Sequence, residues 1–263
     1  MTHTPIDYTQ LVRYAETEQP IYVVDIETTG LSMEHEIIEL GLYNIATGEQ
    51  WSTYVKPERT SANDTAHITG ITNEDVEDAP TIDEALILLD ERAPIDHALF
   101  VAHNGHYFDI PRINHARRNS FAINGEIQPN QIIDTLYLSH KLIPWGGILN
   151  YKLQTLIDYY NIPGTQNHRA GDDCEYTAKV LSRLLDTARL QSVPPITIDD
   201  LVVMSQRPRT PTTREKEVRR ILISVHRELQ RDNLETDTRA RLVQAYEDMF
   251  YNCYNTLPDL RSL

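Results

Sequence analysis

The chain has 263 residues and a formal net charge of −15, with 24 Lys and Arg against 39 Asp and Glu. That length supports one substantial core and a small appendage, while the acidic balance argues against tight, salt-resistant grip on long duplex nucleic acid. Two cysteines, Cys174 and Cys253, exclude a disulfide framework; no apolar run approaches a membrane span and the first residues do not read as a signal peptide, so a soluble cytoplasmic protein is expected.

In chain order, Ile21-Tyr-Val-Val-Asp-Ile26 is a β-branched and aromatic run that predicts a buried strand. Asp25 and Glu27 are two apart, so on an extended backbone both carboxylates leave the same face. Two such carboxylates repel each other unless a cation lies between them, which makes the pair a candidate metal site. Thr28, Thr29 and Gly30 then turn the chain. The runs Glu36–Ala46 and Gln50–Lys56, joined by Ala46-Thr-Gly-Glu49, predict a β-meander. Thr81–Arg92 is predicted helical, with Ile82, Ala85, Leu86 and Leu89 on one face and a Thr81/Glu84 capping box.

A second apolar run, Ala98–Ala102, predicts a strand ending at His103-Asn104. Asp109-Ile110-Pro111 then opens a helix, since Asp and Pro both suit a helix start. Asp109 is thereby placed at the carboxyl edge of a strand and the positive end of a helix. His103 and His106 are read as satisfied or exposed side chains, not ligands. Asn161-Ile-Pro-Gly164 closes a further helix. From about Gly171 the residues Cys174, Ala178, Val180, Leu181, Leu184 and Leu185 have helical spacing, with Asp173 in the first turn and His168 in the loop just before it. A loop histidine beside a helix-borne carboxylate suits a general base next to a metal-bound water. Asp172 is the alternative ligand, or simply favourable charge at a helix start.

Ser192-Val-Pro-Pro195 marks an expected boundary, giving a domain over residues 1–193 and an appendage over 194–263. The Thr212/Glu215 capping box, followed by Val218, Ile221, Leu222, Val225 and Leu229, predicts one appendage helix; Ala240, Val243, Tyr246, Phe250 and Cys253 predict another. Residues 1–194 carry 13 basic and 28 acidic side chains, whereas residues 195–263 carry 11 of each. The acidic excess therefore belongs wholly to the first part.

These motifs together resemble the DEDDh (DnaQ-like) 3′→5′ exonuclease family. The matching residues are Asp25 and Glu27 in the first motif, Asn104 with Phe108-Asp109 in the second, and His168, Ala170 and Asp173 in the third. Glu36–Gly41, His67–Thr72 and Ile133-Asp134-Thr135 extend the likeness, which covers roughly residues 18–190. Three residues separate Asn104 from the Phe108-Asp109 pair, as in stand-alone three-prime repair exonucleases. The third motif is more similar to bacterial polymerase-associated domains.

The resemblance implies an α/β fold, an RNase H-like mixed sheet flanked by helices, here with an α-helical C-terminal appendage. It implies two Mg²⁺ per site, replaceable by Mn²⁺, held by Asp25, Glu27, Asp109 and Asp173. Asp25, Glu27 and Asp173 would hold the first metal, Asp25 would bridge to the second, and Asp109 would support that one directly or through water. His168 would be the general base, so a neutral imidazole is needed and activity is expected to fall in acid.

Thr28, Thr29, Gly30 and Leu31 would meet the terminal nucleotide, with Leu31 wedged against its base or else buried as an ordinary loop residue. Asn104 would help hold the terminal nucleotides, and Asp134 would support structure. The expected substrate is a single-stranded 3′ end, DNA favoured over RNA, releasing nucleoside 5′-monophosphates; Arg112, Lys141 and Lys152 are candidates for a local cationic track, while Arg117 and Arg118 beside them are read rather as ordinary solvated charge. An exoribonuclease of the same family would use the same catalytic residues. A binding module that has lost catalysis and acts through its C-terminal helices is a further alternative. Residues 212–254 are read first as a helical pair packed against the catalytic domain, and are also candidates for contact with a polymerase or a second copy of the chain.

Overall fold

The computed structural model describes residues 6–143, 148–191 and 197–206. Helix α1 (Tyr8–Thr17) begins at a capping box in which Asp7 accepts the Gln10 N–H and the Gln10 side chain accepts the Asp7 N–H. Strand β1 (Ile21–Thr28) follows, then β2 (Ile37–Asn44) and β3 (Gln50–Tyr54). Two single-turn helices, α2 (Ala66–Thr69) and α3 (Asn73–Val76), lead to α4 (Ile82–Arg92), whose Thr81/Glu84 capping box forms as the spacing predicts. Strand β4 (Leu99–Ala102), α5 (Asp109–Asn119), β5 (Ile132–Asp134), α6 (Thr135–Leu142), α7 (Leu153–Tyr159), the long α8 (Ala170–Leu190) and α9 (Ile198–Met204) complete the order.

The sheet has strand order β3-β2-β1-β4-β5. β1, β2 and β3 form the antiparallel meander, while β1, β4 and β5 run parallel. Helices cover both faces, so the central strands are apolar on each. Ile21 and Val23 of β1 pack with Val101 and Ile133 against α8 residues Ala178, Leu181 and Leu185. Tyr22, Val24 and Ile26 pack with Phe100 against Leu86 and Leu89 of α4 and Ile113 of α5. This period of two has a direct consequence: Asp25 and Glu27 continue the α8-facing set beyond Val23. The mixed sheet flanked by helices is the RNase H-like architecture.

Helix α8 crosses β1, β2 and β3, and two glycines let its first turn lie against the sheet. A Cβ on Gly41, the β2 residue opposite Asp25, would meet the Ala170 carbonyl carbon at 2.3 Å, and one on Gly171 would meet the Gln50 side chain at 2.7 Å. Close backbone approach of this kind requires glycine. Helix α9 was not among the expected elements; it starts at a Thr197/Asp200 capping box, buries Ile198, Leu201 and Val202 and packs on β5 and α6, with Ser205 Oγ donating to the Ile132 carbonyl at 2.9 Å. The expected helices over 212–254 and the boundary segment 192–196 lie outside the described residues. Among the described residues no helix is long and apolar enough to cross a membrane.

Candidate active site

Three chain segments converge at the carboxyl end of β1. Asp25 and Glu27 both face α8 and are partly exposed. Asp173, in the first turn of α8, is buried; its Oδ2 accepts the Gln166 amide at 2.7 Å while its Oδ1 is buried without a hydrogen-bond partner. Ligand atoms of Glu27, His168 and Asp173 all lie within 4.8 Å of one another. His168 is exposed and holds a left-handed backbone, φ 55°, a conformation that costs a non-glycine residue about 1 kcal/mol or more.

Asp109 reaches the same place from the opposite helical layer. It is the first residue of α5, one past the N-cap Phe108, whose side chain makes no capping bond. Its Oδ1 accepts the main-chain N–H of Ile26 at 3.2 Å, and the residue is only 2% exposed.

The electrostatics of the cluster are those of acids crowded together out of water. Burial, then the charges of Asp109, Glu27, Asp173 and Glu39, push Asp25 well above the usual carboxylate range. Burial, then Asp173, Glu39 and Asp109, push Glu27 up to about 9, although Arg169 pulls it back. Burial raises Asp109 to about 7 against the Ile26 hydrogen bond, and raises Asp173 to about 6 against the Gln166 bond and His168. A divalent cation is the group that relieves such repulsion, and an orphaned buried carboxylate oxygen is the kind of atom it satisfies. The donor set, all oxygens with one histidine nearby, fits a hard cation.

Asp172 does not join this cluster: it is half-buried and accepts from Gln50 at 3.0 Å and Asn167 at 2.7 Å. Asp134 is fully buried and accepts the N–H groups of Asn104, His106 and Leu136, holding the loop after β4. Asn104 has φ 66° within that loop, a conformation Asn tolerates. His103 bonds Thr135 at 2.9 Å, and loss of water around its ring lowers its pKa to about 4.

Around the substrate side, the Thr28 hydroxyl bonds the Gly30 carbonyl, and that of Thr29 bonds Thr60 and accepts the Glu36 N–H. Both hydroxyls point into the protein, so the segment's outward surface is its backbone, Gly30 and Leu31. Leu31 is 83% exposed, which removes the reading of it as a buried loop residue.

Two of the arginines are corrected: Arg112 as part of a cationic track and Arg117 as solvated charge. Arg112 is buried: it donates to the Leu31 and Phe108 carbonyls and stacks 3.8 Å over the Phe108 ring. Arg117 is buried against Asp90, Gly125 and Asn124, and Arg118 pairs with Glu126. Helical position alone does not reveal that an arginine is consumed internally.

Residue reasoning assigned no role to Glu39 or Gln166. Glu39, 1% exposed on β2, stands opposite Glu27 in the sheet and accepts from Arg169 and the Ala170 N–H. A glutamate in the otherwise apolar run Ile37–Leu42 was the available signal for it.

With this geometry in place, the comparisons agree. The family model described as exonuclease (RNase_T) matches residues 22–181. The chain belongs to that family, the DnaQ-like 3′→5′ exonucleases of the RNase H-like superfamily. It is 35% identical over 188 residues to the PolC-type DNA polymerase III of Bacillus subtilis (strain 168), covering 70% of this chain and 12% of that protein. The corresponding polymerase of Caldanaerobacter subterraneus is 34% identical over 183 residues, again with 68% of this chain and 12% of the polymerase covered. The chain therefore matches about an eighth of the length of these relatives. In fold it is similar to E. coli exonuclease I bound to a dT13 oligonucleotide, with a TM-score of 0.53, 15% identity, and 66% of this chain and 42% of that one covered.

Proposed function

We propose that the chain is a two-metal 3′→5′ exonuclease that removes nucleoside 5′-monophosphates from single-stranded DNA 3′ ends. The observation that carries this reading is the clustering of Glu27, His168 and Asp173 within 4.8 Å, with a buried, unpartnered Asp173 oxygen beside Asp25 and Asp109. Asp25, Glu27 and Asp173 would hold one Mg²⁺ or Mn²⁺, and Asp25 with Asp109 a second. When bound, the pair supplies charge neutralisation at the scissile phosphate and an activated water.

The protein's own residues do the rest. The His168 imidazole, exposed and next to Glu27 and Asp173, accepts the proton of the attacking water. The water oxygen bonds to phosphorus, the bond to the 3′ oxygen breaks, and the terminal nucleotide leaves with its 5′ phosphate. Leu31 packs against the terminal base, and the main chain at Gly30, where glycine makes room for the His35 ring, borders the terminal nucleotide. Asn104, in a loop held by Asp134, binds the terminal nucleotides. DNA is the favoured substrate because the relatives named above are DNA polymerases. A single-stranded end suits a chain of net charge −15 in which Arg112 and Arg117 of α5 are engaged internally.

The test is a time course on matched 5′-labelled DNA and RNA oligonucleotides with Mg²⁺, Mn²⁺ or EDTA, alongside Asp25→Ala. A metal-dependent ladder shortening from the 3′ end of DNA, absent in the variant, is expected. A ladder on RNA alone would reassign the substrate, and near-normal turnover by Asp25→Ala would overturn the site.

A further inference from the structure

We propose that Glu39 and Arg169 are positioning residues that set His168 for proton transfer, an inference that rests on the exonuclease reading above. Three observations carry it. First, Glu39 is almost fully buried, yet it lies across from Glu27 on the same face of the β1–β2 pair, so it adds a like charge beside the cluster. A buried carboxylate in that place needs compensation.

Second, among the described residues the hydrogen bonds that compensate it come from the two residues that follow His168. Arg169 donates to Glu39 through Nε at 3.2 Å and Nη2 at 3.0 Å, and the Ala170 N–H donates to Glu39 Oε2 at 3.0 Å. The two guanidinium bonds form a fork–carboxylate pair, the geometry that best fixes an arginine in space. The Tyr54 ring, 5.0 Å from the guanidinium carbon, supports its other side.

Third, His168 holds a left-handed backbone, which persists only where its surroundings over-determine it. His168 itself is exposed, so packing does not hold it. The constraint lies one residue on: with Arg169 pinned to β2 and Ala170 starting α8 over Gly41, the chain must reverse at His168 to enter the helix. The reversal brings the imidazole beside Glu27 and Asp173. Glu39 thus ties β2, the strand paired with the one that carries Glu27, to the loop that carries the base.

The experiment is a double-mutant cycle on the full chain, with Arg169→Gln, His168→Ala and their combination assayed on a 5′-labelled DNA oligonucleotide. Arg169→Lys and Glu39→Gln serve as conservative variants, and thermal melts of each protein are recorded. Arg169→Gln is expected to lower kcat about 10- to 100-fold with KM changed less than about twofold, and Arg169→Lys to recover part of the loss. On the His168→Ala background, Arg169→Gln is expected to cost little more, because a residue acting through His168 has nothing left to position. A rise in KM at unchanged kcat would overturn the proposal and make Arg169 a substrate contact. Undiminished cost on the His168→Ala background would overturn it in favour of general structural support.

A second readout needs no turnover. The His168 ring resonance in the metal-free protein, followed by ¹³C–¹H NMR, is expected to shift in Arg169→Gln and in Glu39→Gln but not in Arg183→Gln. Arg183 is a surface control on α8 paired with Asp186. No shift in either clamp variant would overturn the proposal. If the folded wild type hydrolyses nothing, the exonuclease reading fails, while this resonance still decides whether the clamp sets His168.

Discussion

Asp109 accepts the main-chain N–H of Ile26 at 3.2 Å, so a carboxylate from the α5 layer is tied to the strand residue between Asp25 and Glu27. The acid has two tasks there, one for the backbone and one for charge, and the two separate by substitution. Asp109→Asn keeps a side-chain oxygen for Ile26 and loses only the charge; it is expected to melt like the wild type and to lose at least about 100-fold in kcat. Asp109→Ala also orphans the buried N–H and is expected to cost a further ~1–2 kcal/mol in stability. Melts paired with oligonucleotide assays check both. An active Asp109→Asn would leave Asp109 with the backbone task alone.

Repulsion within the cluster makes stability depend on pH. Glu27 and Asp109 are raised to about 9 and about 7, and Asp25 is raised well above its ordinary range. Between pH 6.5 and 9 the folded protein therefore keeps protons that the unfolded chain has already lost. Stability of the metal-free protein must then fall as pH rises through that window. His103, lowered to about 4, acts only below its ordinary value of 6.5 and so stays outside the window. The melting temperature in EDTA is expected to drop by a few degrees from pH 6.5 to pH 9. Mg²⁺ or Mn²⁺ should raise it more at the alkaline end. A flat profile in EDTA would contradict the crowding of these acids.

Leu31 tests the substrate side. It is 83% exposed, and its carbonyl accepts from buried Arg112. An exposed apolar side chain on an anchored loop costs nothing to the fold when truncated, yet it has apolar surface to offer a base. Leu31→Ala is expected to leave the melting temperature unchanged and to raise KM about tenfold, equivalent to ~1.4 kcal/mol of lost contact. Unchanged kinetics would remove the wedge role.

What was legible follows from how each residue is positioned. Asp25 and Glu27 could be read because strand period alone puts them on one face. The meander, α4 and α8 could be read from turn chemistry, a capping box and apolar spacing. Asp109 was found by its place after a strand, although its main-chain task could not be seen: the Ile26 N–H is 83 residues away. Glu39 and Arg169, 130 residues apart, meet only because of the β1–β2 register and the lie of α8. α1 and α9 begin at capping boxes, Asp7/Gln10 and Thr197/Asp200, and carry buried residues at helical spacing, Leu11 and Ala15 in one and Ile198, Leu201 and Val202 in the other, so the signal for both was available in short segments. Local pattern reveals elements and single ligands; long-range pairing decides which charges are consumed internally, as with Arg112 and Arg117.

Gly41 gives the last prediction, because it joins fold to site. It stands opposite Asp25 on β2, and a methyl group there would overlap the Ala170 carbonyl carbon at 2.3 Å. That neighbour is backbone at the start of α8, so no side chain can swing aside and the helix itself must move. Gly41→Ala is therefore expected to cost ~2 kcal/mol in stability and to displace the first turn that carries Asp173. Activity should fall by more than the folded fraction does, since a carboxylate displaced by about 1 Å already costs on the order of 100-fold. Melts give the first quantity and turnover per folded molecule the second. Full turnover in the folded fraction would mean that α8 can retreat from β2 without moving Asp173, and the tight Gly41–Ala170 approach would then serve stability alone.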